Sequence, residues 1–124
     1  MAERQVMSIE IPQDVVEMNQ EILSALKADC VDLSRKYTVE HHFSSSNFTL
    51  LEKLAVELFQ TGFEIIDPDE IEEEGVRFFC FDALKLCRIS DETLSEQQQK
   101  IFELLQKFHV SYDGWGVDTT VYEE

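Results

Sequence analysis

The sequence predicts an α+β domain in which helices cover a four-stranded antiparallel sheet, and three stretches carry that prediction. Residues 37–66, YTVEHHFSSSNFTLLEKLAVELFQTGFEII, change from a period of two to a helical period and back, a β-α-β unit in about thirty residues. Residues 76–83, VRFFCFDA, are apolar on both faces, the pattern of a central strand. A helical stripe of Leu94, Ile101, Leu104, Leu105 and Phe108 then leads into a short strand at Val110 and Tyr112.

Taken in order, residues 1–11 are weakly patterned and expected to be loose. Pro12 suits a first helical turn, where its missing N–H has no partner to lose. Val15, Met18, Ile22 and Leu26 follow at helical spacing and predict a helix to about Lys27. Residues 29–36 form a polar connector. Tyr37, Val39, His41 and Phe43 alternate with Thr38, Glu40 and His42 in the first strand. Ser44, Ser45, Ser46 and Asn47 supply side-chain oxygens for an N-cap, and Leu51, Leu54, Ala55, Leu58 and Phe59 define the next helix. Gly62 stops it, because glycine enters the left-handed region without a Cβ clash. Phe63, Ile65 and Ile66 resume an extended run.

Asp67-Pro68-Asp69-Glu70 reads as a turn, and Glu72, Glu73, Glu74 and Gly75 as an exposed loop, since dense like charge resists burial. Ser90 or Asp91 caps the last helix, with Gln97, Gln98 and Gln99 expected to face outward. Asp113-Gly114-Trp115-Gly116 closes the final strand with a turn-like sequence. Residues 117–124 either extend that strand or are disordered. The order is a helix followed by β-α-β-β-α-β, the ferredoxin-like split arrangement, in one domain over residues 1–124. The doubly apolar third strand implies that the second face of the sheet is covered, by the added helix or by another subunit.

Charge limits the function classes. Lys and Arg total 10 against 26 Asp and Glu, a net −16, which repels nucleic-acid phosphates and anionic lipid and suits a basic partner. No stretch approaches the roughly 20 apolar residues that span a bilayer, and the start lacks an apolar signal core, so a cytoplasmic location is expected. Cys30, Cys80 and Cys87 have no CxxC spacing and are expected to be reduced thiols.

No catalytic constellation stands out. His41 and His42 are strand neighbours that point to opposite faces and do not chelate one metal together. Cys80 sits among phenylalanines in an inert setting, and no glycine-rich phosphate loop, GxSxG or HExxH is present. No cofactor or metal is expected. A binding module remains, either for a protein partner or for a small molecule held between sheet and added helix against Phe79 and Phe81.

Five segments taken together carry a resemblance. They are Tyr37-Thr38-Val39-Glu40-His41-His42, Leu51-Glu52-Lys53-Leu54-Ala55-Val56-Glu57, Gly62, Asp67-Pro68-Asp69-Glu70, and Lys107-Phe108 with Val110 and Tyr112-Asp113-Gly114-Trp115-Gly116. Across residues 37–116 the sequence resembles the RraB family, bacterial protein regulators of ribonuclease E activity. The resemblance implies a ferredoxin-like α+β fold and a non-catalytic cytoplasmic inhibitor. Such a protein binds the basic, arginine-rich scaffold region of ribonuclease E and alters degradosome composition and RNA turnover. Members often carry a long acidic C-terminal tail, whereas this sequence stops at Glu123-Glu124. The resemblance supplies no residue-level site. The residues themselves point to two contact regions: Asp67, Asp69, Glu70, Glu72, Glu73 and Glu74 for a basic segment, and the aromatic corner of Tyr112, Asp113 and Trp115. A monomer or weak homodimer is expected.

Overall fold

The computed structural model describes residues 11–118, and its sheet is built around one strand, β1 (Lys36–Ser45). β1 pairs antiparallel with β3 (Val76–Arg88) on one side and with β4 (Ser111–Asp118) on the other. β2 (Glu64–Glu73) pairs antiparallel with β3, giving the order β2-β3-β1-β4. The two β-α-β units therefore interleave, each placing its first strand between the strands of the other. Helices α2 (Phe48–Gln60) and α3 (Asp91–Leu105) are their crossovers, and α1 (Gln13–Ala28) precedes them. The α+β class, the four-stranded antiparallel sheet and the added N-terminal helix are those the sequence predicts.

Local chemistry sets the element ends. Asn47 accepts the Leu50 N–H at the start of α2, and Ser90 and Thr93 exchange capping hydrogen bonds at the start of α3. Helices α1 and α2 end in the same six-residue motif. The Phe63 N–H reaches the Leu58 carbonyl and Gly62 N–H the Phe59 carbonyl; Val31 and Cys30 repeat this onto Leu26 and Lys27. The left-handed residue is Gly62 at φ 108° in α2 but Cys30 at φ 60° in α1.

The alternation of β1 sends Tyr37, Val39, His41 and Phe43 to one face, where all are buried. Two apolar clusters form over that face. Phe43, Phe81 and Ala83 meet Leu51, Leu54 and Leu58 of α2 and Ile101 and Leu104 of α3. Tyr37 and Val39 meet Leu23 and Leu26 of α1, Leu94 of α3 and Trp115 of β4. Burying each such large side chain contributes roughly 1.5–3 kcal/mol.

Several expectations need correction. Helix α1 packs on the same face as α2 and α3, so it does not cover the second face of the sheet. There Leu86 and Ile66 stay 63% and 45% exposed. Phe81, with Phe79 beside it, packs in the cluster of α2 and α3, whereas Leu23 and Leu26 of α1 pack with Tyr37, Val39 and Trp115. The acidic stretch after Ile66 is strand rather than loop. As an edge strand, β2 pairs on one side only and projects its carboxylates into water, so their mutual repulsion does not prevent pairing. A register shift between Ile66 and Asp69 absorbs Pro68, which has no N–H to donate. Likewise Asp113-Gly114-Trp115-Gly116 lies within β4, and the strand accommodates it by a register shift opposite His42 and Phe43. Gly114 has φ 110° there. Val117 and Asp118 extend β4; the remaining terminal segments expected to be loose, 1–10 and 119–124, lie outside the described residues.

Candidate protein-interaction surface

The two expected contact regions lie on opposite edges of the sheet. β2 and β4 are its outer strands, separated by three inter-strand steps of about 4.8 Å each, about 14 Å in all. They do not form one continuous site.

The β2 edge is open. Asp67, Asp69, Glu70, Glu72 and Glu73 are all exposed along it, and Glu74 continues the run into the turn to β3 with φ 52°. Arg77 crosses from β3 to pair with Glu70 at 2.7 Å, with both side chains more than half exposed. Such a pair is worth at most about 1 kcal/mol and leaves the edge strongly negative.

The β4 corner is mostly closed. Trp115 is 5% exposed and donates its indole N–H to Asn19 Oδ1 at 2.7 Å. Asn19 and Gln98 exchange amide hydrogen bonds at 2.8 and 3.0 Å. Gln98 also donates to the Tyr112 hydroxyl at 3.4 Å, which donates to His41 Nδ1 at 2.9 Å. His41 Nε2 then donates to Gln97 Oε1 at 2.8 Å, and the Gln97 amide reaches Cys87 Sγ at 3.2 Å. From Gln98 onward the donors follow one another through Tyr112, His41 and Gln97 to Cys87, linking α3, β4, β1 and β3. Every buried side-chain N or O among the described residues has a partner. Only Asp113 of the corner is exposed, and it accepts from the Ser111 hydroxyl two residues back at 2.8 Å.

Burial dominates the electrostatics of this network. It pushes His41 down to about 4 from its ordinary 6.5, against an opposing contribution from Gln97. The imidazole is therefore neutral at pH 7, with the proton on Nε2. Burial likewise pushes the Tyr112 hydroxyl upward, so it stays protonated. On the outer face, His42 meets Asp82 at 2.7 Å. The two histidines thus point apart. Cys80 is also on that outer face, partly exposed, with its thiol pushed up by burial and by nearby Asp69 and Asp82. Among the described residues no three His, Cys, Asp or Glu side chains are grouped to hold a metal ion. No helix there is long and apolar enough to cross a membrane.

Sequence reasoning misplaces Gln97 and Gln98 and passes over Asn19, which is also buried. The expectation that Gln97 and Gln98 face outward is wrong, since both are buried. Their phase signals it: they fall three and four residues after Leu94 and four and three before Ile101, inside the apolar stripe. Asn19 sits likewise midway between Val15 and Leu23 on α1. Polar character hides residues that helical phase places inward.

Residues 16–117 match the family model described as "Regulator of ribonuclease activity B". A relative of that name from Aeromonas hydrophila is 42% identical over 107 residues, covering 83% of this chain and 93% of its own. Its counterpart in Shewanella denitrificans is 43% identical over 99 residues, covering 79% of this chain and 77% of its own. The Escherichia coli K12 protein is 38% identical over 109 residues, covering 85% and 79%. With a family model matched across both clusters and the polar network, and relatives near 40% identity over most of their length, the chain belongs to the RraB family, the regulators of ribonuclease activity B.

Proposed function

We propose that this protein is a cytoplasmic, non-catalytic inhibitor of ribonuclease E that binds the enzyme's basic, arginine-rich scaffold region. The observation that carries the reading is the open row of carboxylates from Asp67 to Glu74 along the β2 edge of a chain with net charge −16. Carboxylates in this setting accept bidentate hydrogen bonds from guanidinium groups, and the long-range field of the chain steers a basic segment toward them. Asp113 supplies one further exposed carboxylate on the opposite edge, while Tyr112 and Trp115 hold that corner's backbone in place from inside.

The mechanism requires no bond-making by this chain. His41, the most buried imidazole, has both ring nitrogens engaged and is neutral, so it is a structural group rather than a proton carrier. Inhibition then follows from occupancy of the enzyme's scaffold region and scales with stoichiometry. The test is an RNA-cleavage assay with full-length ribonuclease E and with a form lacking its basic region. Slower cleavage that saturates near one equivalent, and only for the full-length enzyme, is the expected result. Equal slowing of both forms, or none, contradicts the reading.

A further inference from the structure

Among the described residues the large exposed apolar side chains include three from one helix: Phe48, Val56 and Phe59 of α2, at 40%, 50% and 65% exposure. They are not scattered. Phe48, Val56 and Phe59 fall at i, i+8 and i+11, on one side of the helix, about 16 Å from end to end at 1.5 Å per residue. This side faces β2, and between them runs a cleft of about 250 Å³ floored by Ala55 and Ile65. Phe48 is held in place by an edge-on contact with Phe79 at 5.2 Å, so that end of the cleft is preformed.

The lips of the cleft carry charge of one sign. Glu52 lies on the helix side and Asp67 with Pro68 on the strand side, and beyond Asp67 the acidic row of β2 begins. Lys53, the single basic residue of α2, does not line it. An apolar trough between carboxylates fits a segment with an apolar stripe flanked by arginine or lysine. A second copy of this chain is a poor occupant, because it would bring another −16 against the same lips. Strand addition at the β2 edge is also disfavoured, since the register shift and Pro68 interrupt its free row of backbone groups. A helix laid along α2 meets neither obstacle.

We infer that the α2–β2 cleft is the docking site for a basic amphipathic helix of the partner protein, with Phe59 and Val56 as apolar contacts and Glu52 and Asp67 as charge contacts. This rests on the proposed binding to ribonuclease E and locates it on one side of the molecule. Two surfaces then cooperate: the cleft supplies short-range apolar contact and the β2 carboxylates supply attraction.

The experiment measures binding of the full chain and its variants to the purified basic region of ribonuclease E. Val56→Ser with Phe59→Ser is expected to weaken binding at least tenfold while the melting temperature is unchanged, because both side chains are half or more exposed. Phe59→Leu retains most of the affinity. Glu52→Lys with Asp67→Lys also weakens binding and flattens its salt dependence. Wild-type binding that the apolar variant matches overturns the cleft and leaves the ribonuclease reading standing. Absence of wild-type binding overturns both. A wild-type dimer that the apolar variant dissociates assigns the cleft to a second copy and overturns the inference.

Discussion

Asn19 and Gln98, 79 residues apart, face each other as a buried pair of amides joined by two hydrogen bonds at 2.8 and 3.0 Å. The pair ties the added helix α1 to α3, and Asn19 Oδ1 also receives the Trp115 indole at 2.7 Å. Asn19→Ala strands the Gln98 amide oxygen and the Trp115 N–H in a dry interior. The expected loss is about 2–4 kcal/mol in urea-unfolding experiments, against less than about 0.5 kcal/mol for Gln20→Ala, whose bond to Asp91 is exposed. Equal small losses would mean that the network is not holding α1 down.

A pH dependence follows from His41. Its folded-state value of about 4 lies below the ordinary 6.5, so the unfolded chain takes up the proton first as pH falls. The neutral, buried imidazole therefore contributes fully above pH 6.5, and its contribution is lost between pH 6.5 and 4, then levels off. The loss is on the order of 3 kcal/mol. Urea titrations across this range, compared with His41→Gln, are expected to show a steeper decline for the wild type. Parallel curves would remove His41 from the account.

The shared ending of α1 and α2 provides a stabilising substitution. Cys30 occupies at φ 60° the left-handed position that Gly62 fills at φ 108° in α2. Cys30→Gly removes the steric cost of the left-handed cysteine at the expense of some unfolded-chain entropy. A net gain of about 0.5–1 kcal/mol is expected, measurable as a higher melting temperature, together with loss of an exposed thiol. A lower melting temperature would show that the cysteine side chain makes a contact worth more than the strain.

The fold is legible where one physical requirement dominates. In β1 the alternation of Tyr37, Val39, His41 and Phe43 fixes the buried face, and Asn47, Gly62 and Ser90 mark helix ends by the backbone groups they satisfy. The acidic strand is less legible, because dense charge on an edge strand resembles dense charge on a loop until the pairing partner is known. The network is the least legible part. Asn19, Gln97 and Gln98 are polar, and only their phase within apolar stripes shows that each one's partner lies on another element. For the same reason, Trp115 and Tyr112 look equally suited to an interface and to a core, and what decides is the Asn19 and His41 side chains that meet them.

The acidic edge contributes little to folding, so its charges can be reversed without loss of structure. Glu72→Lys, Glu73→Lys and Glu74→Lys together reduce the net charge from −16 to −10, each reversal adding two. Stability is expected to hold within about 0.5 kcal/mol or to rise slightly as self-repulsion falls. Binding to the basic region of ribonuclease E is expected to weaken. Unchanged affinity, measured by calorimetry, would take this end of β2 out of the contact.

The most direct measurement is the affinity of the purified protein for the basic scaffold region of ribonuclease E across a salt series. An acidic edge meeting an arginine-rich segment predicts tight binding at low salt that weakens steadily, by at least about tenfold, as screening increases. Absence of binding at low salt, or affinity indifferent to salt, would contradict it.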